Sequence, residues 1–144
     1  MITKGMMSSN KNNWETPQWL FDEILNEFHL EVDVCANYTN RKLNVYFDKQ
    51  TDGLSREWDC ETGGYWMNPP YGREIIKWVK KAYDSNQKHN SLIVALLPAR
   101  TDTKWFHDFI YNKAEIRFIK GRLKFSGSKN SAPFPSMIVI WRIK

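Results

Sequence analysis

Asn68-Pro69-Pro70-Tyr71 is the segment of this 144-residue chain whose residue types and order are best suited to chemistry. Two successive prolines after an asparagine exclude both helix and ladder pairing and hold the backbone in a rigid, extended turn. Proline lacks an N–H but keeps its carbonyl, and the asparagine side chain adds an amide oxygen. A stiff turn carrying two such acceptors suits one demanding task. It can grip both N–H groups of an amine whose lone pair is delocalised into a flat ring, and so favour the sp³ geometry that attack requires. Asn68 Oδ1 and the Pro69 carbonyl are the expected acceptors, and Tyr71 is the expected ring against which the flat partner stacks. No side chain has to lose a proton beforehand.

Such a turn needs a scaffold, and the surrounding pattern supplies one. Gly64-Tyr65-Trp66-Met67 reads as an apolar strand running into Asn68, and Ile75, Ile76, Trp78, Val79 and Ala82 repeat with helical period behind it. Ser91 to Leu97 is a continuous apolar run of the kind found in buried parallel strands, so strand, helix and strand form a βαβ unit. Upstream, Trp19, Leu20, Phe21, Ile24, Leu25 and Phe28 mark an amphipathic helix, with Thr16 expected as its N-cap and Pro17 as its first residue. Leu30 to Val34 alternate as a short strand, with a weaker strand at Asn44–Phe47 and a turn at Thr51-Asp52-Gly53. A Thr101-Asp102-Thr103 cap introduces another helix, and Glu115–Ile119 and Ser136–Ile143 are two further strands. The alternation predicts an α/β fold, a three-layer sandwich on a trimmed, mostly parallel sheet. Ligands of such sheets bind at the carboxyl ends of the strands, where Asp33-Val34-Cys35-Ala36, the Asn68 turn and Pro98-Ala99-Arg100-Thr101 all lie.

Twenty-one Lys and Arg against sixteen Asp and Glu give a net charge of +5, which favours a polyanionic partner without proving one. Cys35 and Cys60, with His29, His89 and His107, show no metal-ligand spacing, so reduced thiols and no metal are expected. No apolar run approaches the length of a membrane span, which leads to an expected cytoplasmic location. Residues 1–13 are polar and read as a mobile tail, and residues 14–144 as one domain.

Beyond these readings, the chain resembles the phage-type DNA adenine N6-methyltransferases, within the amino-methyltransferases that share an Asp/Asn/Ser-Pro-Pro-Tyr/Phe motif. The resemblance runs from Trp14 to Trp141. It rests on Trp14-Glu15-Thr16-Pro17, Asp33-Val34-Cys35-Ala36, Asp52-Gly53-Leu54 with Trp58, and Trp66-Met67-Asn68-Pro69-Pro70-Tyr71-Gly72-Arg73. Further matches are Leu97-Pro98-Ala99-Arg100-Thr101-Asp102-Thr103 with Trp105, Phe106 and His107, and Arg117-Phe118-Ile119 with Gly121-Arg122-Leu123-Lys124-Phe125.

The resemblance implies a Rossmann-like class I methyltransferase domain that uses S-adenosyl-L-methionine to methylate adenine in DNA, in the host cytoplasm if phage-encoded. It implies that Trp14, Thr16 and Pro17 fold over the cofactor, that Thr16 touches its methionine part, and that Asp33 receives its amino group. Cys35-Ala36-Asn37 stands where the wider fold has Gly-x-Gly, and Asp48 or Asp52 replaces the usual ribose-binding acid. DNA is expected on Arg73, Arg100 and the basic connection carrying Arg122, Lys124 and Lys129, which is the candidate recognition element, read as a flexible loop. Monomer and weak dimer both remain open. Cytosine N4 or protein glutamine as acceptor, or a binding module without turnover, are the competing readings.

Overall fold

The computed structural model describes residues 12–144, so the expected tail falls outside the described residues except for Asn12 and Asn13. Among the described residues, three α-helices and six strands follow in the order α1 (Gln18–Glu27), β1 (Leu30–Asp33), β2 (Val45–Tyr46), β3 (Gly64–Met67), α2 (Ile75–His89), β4 (Ile93–Pro98), α3 (Lys104–Phe109), β5 (Glu115–Phe118) and β6 (Ser136–Trp141). The strands form one sheet of order β2-β1-β3-β4-β6-β5.

The βαβ unit stands as expected: β3 and β4 are parallel neighbours, with Trp66 opposite Val94, and α2 connects them. β1 pairs in parallel with both β2 and β3. The expectation of a mostly parallel sheet is corrected: the sheet is mixed, because β6 is antiparallel to β4 and to β5. No helix separates β5 from β6. Two adjacent strands joined without a crossover must run in opposite senses, a constraint that the overall alternation of strands and helices had hidden.

Side chains along a strand alternate between faces, which places Tyr65 and Trp66 on opposite sides of β3. Trp66 meets Phe21 of α1 edge-on at 5.1 Å, while Tyr65 stacks on Trp58, which in turn stacks on Trp78 of α2. α1 and α2 therefore cover opposite faces, and β3, β4 and β6 are buried along their whole lengths. The core comprises Phe21, Trp58, Trp66, Val79, Leu96, Leu97, Val139 and Trp141, each at most 1% exposed.

The helix ends bear directly on the site. Thr103 caps α3 by accepting from the Phe106 N–H, as the sequence suggests. Thr16 does not cap α1. Pro17 holds that position in an extended conformation, its carbonyl accepts from Leu20 and Phe21, and no side chain caps the helix. The Thr16 hydroxyl, on a residue only 2% exposed, is directed elsewhere.

Candidate active site

A cavity of about 780 Å³ opens at the carboxyl ends of β1 and β3. That volume is within the range of roughly 300–1,000 Å³ usual for small-molecule sites. Trp14, Thr16, Asp33, Cys35, Ala36, Asp52, Asn68, Pro69 and Pro70 all line it. The sequence-derived candidates from four distant segments thus meet at one place. Pro17 and Tyr71 are buried outside the lining, and Arg73, Arg100, Arg122, Lys124 and Lys129 are exposed beyond it.

At the centre is the Asn68 side chain. Its Nδ2 donates to the Trp14 carbonyl at 2.5 Å and to Thr16 Oγ1 at 2.9 Å. A carbonyl can only accept, so the nitrogen of the amide must be the atom facing Trp14. Oδ1 is left buried and without a hydrogen-bond partner among the described residues. Burying an unsatisfied acceptor costs about 1–3 kcal/mol, which an N–H supplied by a ligand would recover. Pro69 belongs to the same wall.

Asp33 ends β1 and is 3% exposed. Its carboxylate accepts from the Cys35 N–H at 3.3 Å and the Lys42 N–H at 3.0 Å, and thereby shapes the loop after the strand. Desolvation by burial pushes its pKa up to about 6, against the lowering effect of those two N–H groups. Burial also pushes the Cys35 thiol up to about 12, with the neighbouring Asp33 adding to the shift, so the thiol stays protonated and unreactive at neutral pH.

Of the two acids considered for a ribose, Asp48 accepts from the Thr51 N–H at 2.9 Å and its hydroxyl at 3.0 Å, contacts that hold its carboxyl below the usual range. Asp48 therefore builds a turn, and it lines the same cavity. Asp52 is exposed on the cavity wall, in a left-handed conformation with φ 52°. The next residue, Gly53, is packed so tightly that a Cβ there would lie 2.3 Å from the Val34 carbonyl oxygen. Its own carbonyl accepts from the Trp58 indole at 2.9 Å.

Tyr71, expected to meet a flat partner, is 1% exposed, and its hydroxyl donates to the Leu96 carbonyl at 2.8 Å. Phe125 and Phe134 meet its ring at steep angles, and both pack on Trp14 as well. Arg100 donates to the Tyr71 carbonyl at 3.0 Å, so this predicted DNA contact also braces the turn.

The β5–β6 connection is not the free loop expected from its composition. Leu123, Phe125 and Ala132 are buried along it, and Ser126 donates from its N–H to the Glu15 carbonyl and from its hydroxyl to the Thr16 carbonyl. Arg122, Lys124 and Lys129 remain exposed between these anchors. Sequence reasoning missed the cavity residues Lys42, Phe47, Glu74, Trp78, Ser126 and Ser128. Trp78 carried only the signal of a core position on its helix, and no local pattern ties Ser126 to a turn so far upstream. Among the described residues no group of three or more His, Cys, Asp or Glu gathers as a metal site, and no helix is long and apolar enough to cross a membrane.

The family model for DNA N-6-adenine-methyltransferase (Dam) matches residues 4–144. The DNA N-6-adenine-methyltransferase of Haemophilus phage HP1 (strain HP1c1) is 30% identical over 154 residues, covering 100% of this chain and 87% of that protein. The DNA N-6-adenine-methyltransferase of Escherichia phage T1 is 33% identical over 111 residues, 76% of this chain but only 45% of that longer protein. With the match running through almost every residue, including those that build the cavity and its Asn-Pro-Pro-Tyr turn, the chain belongs to the DNA N-6-adenine-methyltransferase (Dam) family.

Proposed function

We propose that this protein methylates the exocyclic N6 amine of adenine in DNA, on a Rossmann-like methyltransferase sandwich, with S-adenosyl-L-methionine as the donor. The observation that carries the reading is Asn68: its nitrogen is engaged on both sides, and its oxygen is a buried acceptor without a partner among the described residues. Asn68 Oδ1 and the Pro69 carbonyl take the two N–H groups of the adenine amine and draw it toward tetrahedral geometry. Donors or acceptors fixed in advance where charge develops are among the strongest contributions to catalysis.

The cavity suits the cofactor in size and in chemistry. Asp33, its carboxylate at the end of β1, accepts the cationic amino group, and Asp52 faces the ribose. Cys35 and Ala36 line the cavity with small side chains that permit close approach. The cofactor, when bound, supplies a methyl group on a positively charged sulfur. The base has to leave the duplex to reach the turn, at a cost of a few kcal/mol. Exposed Arg73, Arg122, Lys124 and Lys129 follow the phosphates, while Arg100 holds the turn from its outer side.

Incubation with labelled S-adenosyl-L-methionine and unmethylated genomic DNA, followed by nucleoside mass analysis, tests this reading. N6-methyladenine is the expected product. N4-methylcytosine, or label in protein rather than DNA, would overturn it.

A further inference from the structure

We propose that Thr16 is a positioning residue for catalysis: together with the Trp14 carbonyl it fixes which end of the Asn68 amide is offered to the substrate. The inference rests on the reading of Asn68 as the acceptor of the adenine amine. An asparagine amide can turn by 180° at little cost unless its neighbours distinguish nitrogen from oxygen. If Nδ2 faced the incoming amine, two donors would confront each other and no transfer could follow.

Two contacts together prevent this: the Trp14 carbonyl, which can only accept, selects the nitrogen, and the Thr16 hydroxyl holds the amide in that orientation. The Trp14 carbonyl takes one N–H of Nδ2, and Thr16 Oγ1 takes the other, so both hydrogens of the amide are held away from the substrate. The Thr16 hydroxyl is free for this task because it does not cap α1, where its place in the sequence would put it.

The segment bearing both acceptors is itself fastened at several points. The Asn12 carbonyl accepts from the Tyr71 N–H at 2.7 Å, the Glu15 carbonyl from the Ser126 N–H at 2.9 Å, and the Thr16 carbonyl from the Ser126 hydroxyl at 3.3 Å. Residues 12–16 thus form a strap from the catalytic turn to the β5–β6 connection, and the orientation of the amide is set from outside the turn. This assignment differs from a contact between Thr16 and the cofactor, which would act on affinity rather than on turnover.

The test compares Thr16→Val, which keeps the shape and removes the hydroxyl, with Thr16→Ser, which restores it. The readouts are kcat at saturating cofactor and DNA, the Kd for S-adenosyl-L-methionine by calorimetry, and the melting temperature. Thr16→Val is expected to lower kcat about tenfold or more, the equivalent of one lost hydrogen bond in the transition state, with cofactor Kd within about twofold of the parent. Thr16→Ser should recover most of that loss. Should Thr16→Val melt below the assay temperature, Thr16→Ala carries the same expectation.

Parental kcat in the hydroxyl-free variant would overturn the proposal. So would weakened cofactor binding with parental kcat at saturation, which would return Thr16 to the cofactor site. Asn68→Ala run in parallel separates the two levels. If it turns over normally, the reading of Asn68 fails. If it is inactive while Thr16→Val is normal, only the positioning role fails.

Discussion

Asn68, held through both hydrogens of its nitrogen, has one free function left, and the consequences of removing it are specific. Asn68→Ala should lower kcat by more than a hundredfold, about 3 kcal/mol or more of transition-state stabilisation, and leave cofactor affinity within a fewfold, which single-turnover kinetics and calorimetry will read separately. Asp33 gives a different signature. Its carboxyl titrates near 6 because burial opposes ionisation, and a cationic amino group binds only the ionised form. Cofactor affinity should therefore be flat above about pH 7 and weaken about tenfold per unit below pH 6, and Asp33→Asn should be weaker throughout and lose that slope. Without a ligand the same shift acts on folding with the opposite consequence. A raised carboxyl contributes most below its free value of 3.8, and that contribution is lost as pH rises through about 6. Tyr71 acts through packing in this conformation. Thermal melts should show a loss of about 3–5 kcal/mol for Tyr71→Ala and about 1 kcal/mol for Tyr71→Phe, which gives up only the hydrogen bond to Leu96.

The elements around these residues were legible in unequal measure. Gly64–Met67 was readable to the residue, because an apolar run stopped by Asn-Pro-Pro leaves no other boundary. The helix with Trp78 and Val79 on its inner side was equally clear, and Asn90, in a left-handed conformation with φ 53°, ends it as a C-cap should. Thr16 was misread for a physical reason: a threonine before a proline and an amphipathic run has the chemistry of an N-cap, and only the tertiary fold brings Asn68 close enough to claim its hydroxyl. The β5–β6 connection was misread for a related reason. Leu123, Phe125 and Ala132 are too widely spaced among polar residues to register as a pattern, yet each is buried. Asp33, Asp48 and Asp52 stood out as acids near turns, and all three line the cavity, but the hydrogen bonds that tie Asp48 to Thr51 are ones that no spacing reveals. The Gly53 turn carries a prediction at this scale. Gly53→Ala puts a Cβ against the Val34 carbonyl, and the backbone must shift. A stability loss of about 1–3 kcal/mol in denaturant titration is expected, together with weaker cofactor binding, because Asp52 and Leu54 move with the turn.

For the molecule as a whole, a net charge of +5 and the exposed Arg73, Arg122, Lys124 and Lys129 make phosphate contacts the expected main source of DNA affinity under the proposed function. Replacing Lys124 and Lys129 with alanine should weaken binding to all sequences alike and flatten the slope of log affinity against log salt by about one unit per lost contact. A parental slope in binding measured across several salt concentrations would place the DNA elsewhere. The sheet order has another consequence. β6, the last strand in the sequence, is not at an edge but between β4 and β5, and it pairs with β4 over six residues. During synthesis the nascent chain must hold the flank of β4 open until Met137 to Trp141 leave the ribosome, with Leu96 and Leu97 exposed to whatever else could pair there. The parallel half can gather earlier, but the sheet cannot close until β6 has been made. A ribosome stalled after Pro135 would therefore carry a chain that is protease-sensitive and prone to aggregate, although every residue of the catalytic turn had already been made.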